Sequence, residues 1–300
     1  MVIKTERLSR SFGRVRAIRN LSFEVPEGSM FALVGTNGSG KTTTMRVLVN
    51  IIRPSEGRAI VLGVDAQALS HHDFTRIGYV SENLQLPERL TVAQYFDYLR
   101  LLYPNWDRAL ENSLRSQMNL PPNRMLSKLS HGMRMKTILV AGIAFRPKLL
   151  ILDEPLSGMD TLTRDEVVEG LLQQAEETTI LISSHEVAEI ENFTSHVAFM
   201  DSGKLYFQEA IESLRSRFRE VAVTLSAIKD LPESCPHSWL SPKIVGHSLQ
   251  FVESEYRGRE PLQRDLIDRF GVVQFEAEVM SLREISKALI RHARGNVLGW

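Results

Sequence analysis

One stretch restricts this chain of 300 residues more than any other. "GTNGSGKTT", residues 35 to 43, lies between the apolar run "MFALVG" and the helical run "KTTTMRVLVNII". It fits the pattern G-x-x-x-x-G-K-[ST], which has physical meaning when a strand precedes it and a helix follows. Gly35, Gly38 and Gly40 let the backbone curl until successive N–H groups face one point. The helix start adds its dipole, so that point favours an anion. Lys41 can reach the β- and γ-phosphates of a nucleotide, and the Thr42 hydroxyl suits Mg²⁺. Thr36, Asn37, Ser39 and Thr43 complete the loop as candidate nucleotide-binding positions.

The rest of the chain supplies an α/β context for that loop. "VIKTERL" and "AIRNLSFEV" alternate like a strand pair, and "RAIVLG" reads as a further strand after "RPSEG" breaks the first helix. Residues 87 to 145 read as mostly helical, through "TVAQYFDYLRLLY", "WDRALENSLRSQM" and the run after residue 130. Strands return with "KLLILDEP" and "TTILISSH", separated by a helix over "TRDEVVEGLLQQAEE". The pattern is an α/β nucleotide-binding fold with an antiparallel β subdomain and a helical insertion. "HVAFMDSGKLYFQ" reads as a hairpin. Its Gly203-Lys204 pair is a turn and not a second phosphate loop, since no serine or threonine follows. Beyond about residue 216 the texture changes. The strands "EVAVTL", "SLQFVES" and "VVQFEAEV" and the helices "EPLQRDLIDRF" and "LREISKALIRHAR" suggest a small accessory α+β domain over 217–300, after a first domain over 1–216.

Two strand ends carry candidate chemistry. "LLILDEP" brings Asp153 and Glu154 to the end of a buried strand, where open α/β sheets bind their ligands. Asp153 would hold Mg²⁺, and Glu154 would orient and polarise an attacking water. "TILISSH" ends at His185, whose imidazole could hydrogen-bond the γ-phosphate and the water. Ser130 in "LSHGM", residues 129 to 133, is a good N-cap, and Gly132 beside it lets a second helix start approach an anion.

Taken in order, these motifs resemble the nucleotide-binding subunit of ATP-binding-cassette (ABC) transporters over roughly residues 2 to 215. Phe12 falls where that family stacks an aromatic on adenine. Residues 35 to 43 match its phosphate loop and "LSHGM" its signature. "LLILDEP" matches the Walker B strand, "SGMD" the following D-loop, and His185 the switch histidine. The resemblance implies a P-loop cassette that binds ATP with Mg²⁺. It implies a homodimer, or a heterodimer with a related cassette, in which Ser130, His131, Gly132 and Met133 close the partner's site and Asp160 lies at the seam. It also implies a separate integral-membrane permease, so that the chain is peripheral on the inner face of the cell membrane, and the signature variant favours an exporter. Two departures stand out. Glu82 occupies a position usually held by glutamine, so it is expected to lean on the metal or its waters and to link nucleotide state to the permease-facing segment through "LPERLTV". His131 and Met133 replace a glycine and a glutamine.

Composition bounds the alternatives. The formal net charge of +0 argues against nucleic acid as a partner. The single cysteine, Cys235, cannot form an internal disulfide and fits a reducing compartment. No stretch approaches the roughly 18 apolar residues of a membrane helix. The N-terminus lacks the apolar core of a signal peptide, so a cytoplasmic chain is expected. A soluble cassette ATPase of translation or DNA repair is the main alternative, and a non-catalytic nucleotide sensor a third.

Overall fold

The computed structural model describes residues 1–174, 177–227, 231, 235–270 and 272–297, the last five of these for backbone only. The chain divides into two compact units, Met1–Gln208 and Glu209–Trp300. The sequence draws this line between residues 216 and 217. The units part earlier because α7 (Ile211–Arg217) packs on α9 (Leu282–Val297) and buries Leu214.

Two sheets build the first unit. β1 (Ile3–Phe12) pairs antiparallel with β2 (Val15–Leu21), β3 (Glu24–Val25) and β5 (Glu56–Val61), and β6 (Val64–Asp65) extends β5. The second sheet runs β11-β10-β4-β9-β8-β7. Its members are β4 (Met30–Gly35), β7 (Ile77–Ser81), β8 (Leu149–Asp153), β9 (Thr179–Ser184), β10 (His196–Asp201) and β11 (Lys204–Ala210). β10, β4, β9, β8 and β7 are parallel neighbours. Every residue of β4, β8 and β9 is buried, which is why these strands read as unbroken apolar runs. Ser202 and Gly203, both at positive φ, turn β10 into β11.

Helices cover this frame. α1 (Lys41–Leu48) follows the phosphate loop, and its Met45 and Leu48 join one core with Ile3, Leu8 and Ile18 of the first sheet and Phe31, Ile151 and Leu181 of the second. The sequence extends α1 to residue 52. It ends at Leu48 because Asn50 takes a left-handed conformation, and the amides of Ile51 and Ile52 fold back on the Arg46 carbonyl. α2 (His71–Phe74) precedes β7. The helical insertion comprises α3 (Val92–Arg100), α4 (Arg108–Gln117) and α5 (His131–Ile143). Each has a side-chain N-cap: Thr91 in a capping box with Gln94, then Asp107, then Ser130. α6 (Thr161–Leu172) connects β8 to β9. The sequence runs it from 163 to 177; the helix ends at Leu172, and residues 175 and 176 of that stretch lie outside the described residues.

The second unit contains an antiparallel sheet ordered β13-β14-β12-β15, from β12 (Arg219–Leu225), β13 (Trp239–Val245), β14 (Ser248–Glu253) and β15 (Val272–Val279). Val221, Val223, Trp239 and Phe251 pack against Leu262, Leu266 and Phe270 of α8 (Arg259–Phe270). The sequence reading finds no strand at 239–245. Pro242 interrupts the alternation there. It is tolerated because β13 is an edge strand with a register shift between Leu240 and Lys243, and Ser241 has φ 50.

Candidate active site

The parallel strands deliver their chemistry at one end. β4 stops at Gly35, β8 at Asp153, β9 one residue before His185, and β7 one residue before Glu82. Register places Val34 beside Ser184 and Ser81 beside Asp153, so these strand ends are neighbours in space. That is the ligand-binding end of such a sheet.

The phosphate loop is held against the strands on both sides. A Cβ on Gly35 would stand 2.1 Å from the Met200 carbonyl oxygen. Gly40 has φ +105, and a Cβ there would stand 2.4 Å from the carbonyl oxygen of Ala17. No other residue fits either place. Thr36 Oγ1 donates to Asp201 at 3.2 Å and anchors the loop to β10. The Lys41 ammonium is folded back into the loop, 2.6 Å from the Gly35 carbonyl oxygen and 3.3 Å from that of Thr36. It also lies 3.1 Å from Glu154 Oε1. The Ser39 hydroxyl is buried in the loop without a partner.

Asp153 and Glu154 diverge in environment. The Asp153 carboxylate is 3% exposed; the hydroxyls of Thr42 and Ser183 each donate to its Oδ1 at 3.0 Å. Burial pushes this carboxyl above the usual range, against the lowering effect of those two hydrogen bonds. A cation bound beside it would hold it ionised. Thr42 and Asp153 are hard oxygen donors side by side, a donor set that fits Mg²⁺. Glu154 sits at φ 52, an uncommon conformation for a side-chain-bearing residue. Its amide donates to Ser183 Oγ at 2.9 Å, and its Oε2 lies 2.8 Å from His185 Nδ1. The Glu154 carboxylate, through that hydrogen bond first, raises the His185 imidazole above its ordinary value. Lys41, Glu154 and His185 thus form a cation–carboxylate–imidazole row.

A pocket of about 310 Å³ opens over the loop, lined by Phe12, Ala17, Asn37 to Thr43 and Glu154. Phe12 is 46% exposed, and the Arg10 guanidinium stacks on its ring 4.5 Å from the centroid. Glu82 is a neighbour of Asp153 through its backbone, its amide donating to the Asp153 carbonyl at 3.4 Å.

The signature residues lie elsewhere. Ser130 caps α5 by accepting from the Met133 amide at 3.3 Å. Met133 Sδ is 3.9 Å from Arg124 Nη1, and His131 Nε2 is 3.0 Å from the Ser157 carbonyl oxygen. Gly132 faces Thr163, whose Cγ2 would be 2.8 Å from an added Cβ. Asp160 caps α6, and the amide and hydroxyl of Thr163 hold its carboxyl below the usual range. None of Ser130, His131, Gly132, Met133 and Asp160 lines the pocket over the phosphate loop.

Ser183 is the residue that motif reading passed over. It fixes both Asp153 and the Glu154 backbone, and its signal was strand alternation, two positions before His185 on the same face.

Comparison with known proteins points to one family. The family model described as ABC transporter matches residues 18–157. The ABC transporter ATP-binding protein YtrB of Bacillus subtilis (strain 168) is 29% identical over 224 residues, which cover 73% of this chain and 76% of that protein. The bacitracin transport ATP-binding protein BcrA of Enterococcus faecalis is 30% identical over 223 residues, 73% of this chain and 72% of that one. Among solved structures, the dimeric post-hydrolysis state of an ATP-binding cassette bound to ADP and Pi aligns with TM-score 0.61 at 19% identity. That alignment covers 70% of this chain and 98% of the other, a likeness of fold.

Proposed function

Because this chain belongs to the ABC transporter family as an ATP-binding subunit, we propose that it drives a separate permease as one half of a head-to-tail dimer, each chain's signature turn closing its partner's ATP site. The observation that carries this reading is the separation within one chain. The phosphate loop, Asp153, Glu154 and His185 are joined to one another by hydrogen bonds and an ion pair at one sheet end, while the exposed Ser130 turn meets Ser157 and Thr163 instead. A two-fold axis turns such a split surface into two equivalent complete sites.

The resting geometry supports a sequence of contacts. Adenine stacks on Phe12, and the loop amides of residues 36 to 43 receive the phosphates. Lys41, held between the Gly35 and Thr36 carbonyls and Glu154, presents its ammonium to the phosphate oxygens. Glu154, held by His185, orients water toward the γ-phosphorus. The bond to the bridging oxygen breaks, giving ADP and phosphate. Thr42 and Asp153, with Glu82 near them, would hold Mg²⁺, which when bound neutralises charge developing on the phosphates. ATP joins the two halves through contacts present only in the closed dimer, and hydrolysis removes them.

A membrane partner is supported by an open groove lined by Pro87, Glu88, Arg89, Leu90 and Tyr98 in the segment after Glu82, with Leu101 84% exposed nearby. Arg134 of α5 donates to the Leu84 carbonyl in that segment, which supports a link from the docking groove to the signature helix. Among the described residues no helix is long and apolar enough to cross a membrane. We therefore assign the chain to the inner face of the membrane, held there by the permease. Export is the direction favoured by the signature variant and by the likeness to BcrA, named for bacitracin transport.

The test is E154Q. It is expected to bind ATP, to lose about 10²-fold or more of kcat, and to accumulate as an ATP-bound dimer by light scattering. A variant that remains monomeric in saturating ATP contradicts the reading.

A further inference from the structure

His131 is the first residue of α5, at a position where the resembled family has glycine. Its Nε2 lies 3.0 Å from the Ser157 carbonyl oxygen. A carbonyl only accepts, so Nε2 carries the hydrogen and the imidazole donates. Ser157 lies in the turn between Glu154 and Asp160, and its own amide donates to the Glu154 carbonyl at 3.3 Å. A second contact crosses the same seam. Gly132 lies against Thr163, which is itself held by the Asp160 carboxylate at 2.8 Å and 3.0 Å. The first turn of α5 therefore meets segment 157–163 twice, and a glycine at 131 could make only the second contact.

We propose that His131 is a positioning residue: its hydrogen bond to Ser157 fixes the signature turn against this chain's own turn after Glu154, so that both enter the partner's site as one body. The inference rests on the reading that the signature acts in trans. Under that reading His131 joins two sites. Glu154 serves the ATP of its own chain, Ser130 serves the partner's, and two hydrogen bonds, His131 to Ser157 and Ser157 to Glu154, run between them. Without the imidazole, the N-cap of Ser130 and the Gly132 contact remain, so ATP binding is untouched and the cost falls on the closed state. Losing contacts to the partner's ATP that form only in the closed dimer lowers kcat and leaves the single chain's affinity for ATP unchanged.

Three variants of the full chain test this: H131A, H131Q and S130R, with kcat from steady-state ATPase and ATP affinity from equilibrium titration with a non-hydrolysable ATP analogue at chain concentrations too dilute for dimers. H131A is expected to lose about tenfold in kcat, the scale of one hydrogen bond, with ATP affinity within about twofold of the parent. H131Q, whose amide N–H can reach the same carbonyl, is expected to return to within about threefold of wild type. Wild-type kcat in H131A overturns the proposal, and so does equal impairment of H131A and H131Q, since the hydrogen bond would then not matter. S130R separates the two levels. If it blocks hydrolysis while H131A does not, the trans signature stands and His131 has no part in it. If S130R hydrolyses ATP normally, the trans reading itself falls and takes the proposal with it.

Discussion

At Glu154 one carboxylate is shared by a lysine 3.1 Å away and an imidazole 2.8 Å away. This has a measurable consequence in the His185 titration. Its folded-state value is raised above the ordinary 6.5, chiefly by the Glu154 hydrogen bond. The sign follows: the pair's contribution to stability is fully present below about pH 6.5 and is lost as pH rises through the higher folded value. E154Q removes the carboxylate, so NMR titration of the His185 ring is expected to show its pKa falling toward 6.5, and an unchanged value would mean that Glu154 is not the cause. Asp153, Glu154 and His185 were legible in the sequence because each ends or follows an apolar strand run beside a phosphate loop. The resting partners of Lys41 were not. They are carbonyls of its own loop and Glu154, and the partners of a flexible ammonium leave no pattern in the sequence.

Elements were legible where burial imposed a pattern and lost where local geometry overrode it. β4, β8 and β9 are apolar throughout and could be read directly. β13 could not, because a proline at an edge-strand bulge looks like a strand breaker. α1 was read too long because the left-handed Asn50 ends it inside an apolar run. The contact between α5 and β7 is a third case. It depends on two glycines, with the site of a Cβ on Gly78 only 2.6 Å from the Gly142 carbonyl oxygen and that of a Cβ on Gly142 2.8 Å from Val80 Cγ2. That close approach sets the signature helix against the strand that leads to Glu82. G78A is expected to lower stability by about 1–3 kcal/mol through overpacking, measured by urea unfolding. An unchanged midpoint would show that α5 can move off β7 without cost.

For the whole molecule, the cassette was legible because six short motifs occur in one order. The dimer entered only by resemblance, since no spacing in one chain says whose ATP a signature turn meets. The second unit was legible as a small α+β domain from the alternation of β12, where buried and exposed residues alternate, and from the apolar face of α8. Its task is not written in either pattern. The division of the active site between chains is the claim on which the rest depends, and mixing two inactive variants tests it. On that claim K41A fails to hold phosphate, and S130R fails to close a neighbour's site. In a head-to-tail heterodimer of the two, one composite site carries both defects and the other carries none. Random mixing should therefore restore about one quarter of wild-type ATPase activity per chain. A mixture as inactive as its two components would contradict a signature that acts in trans.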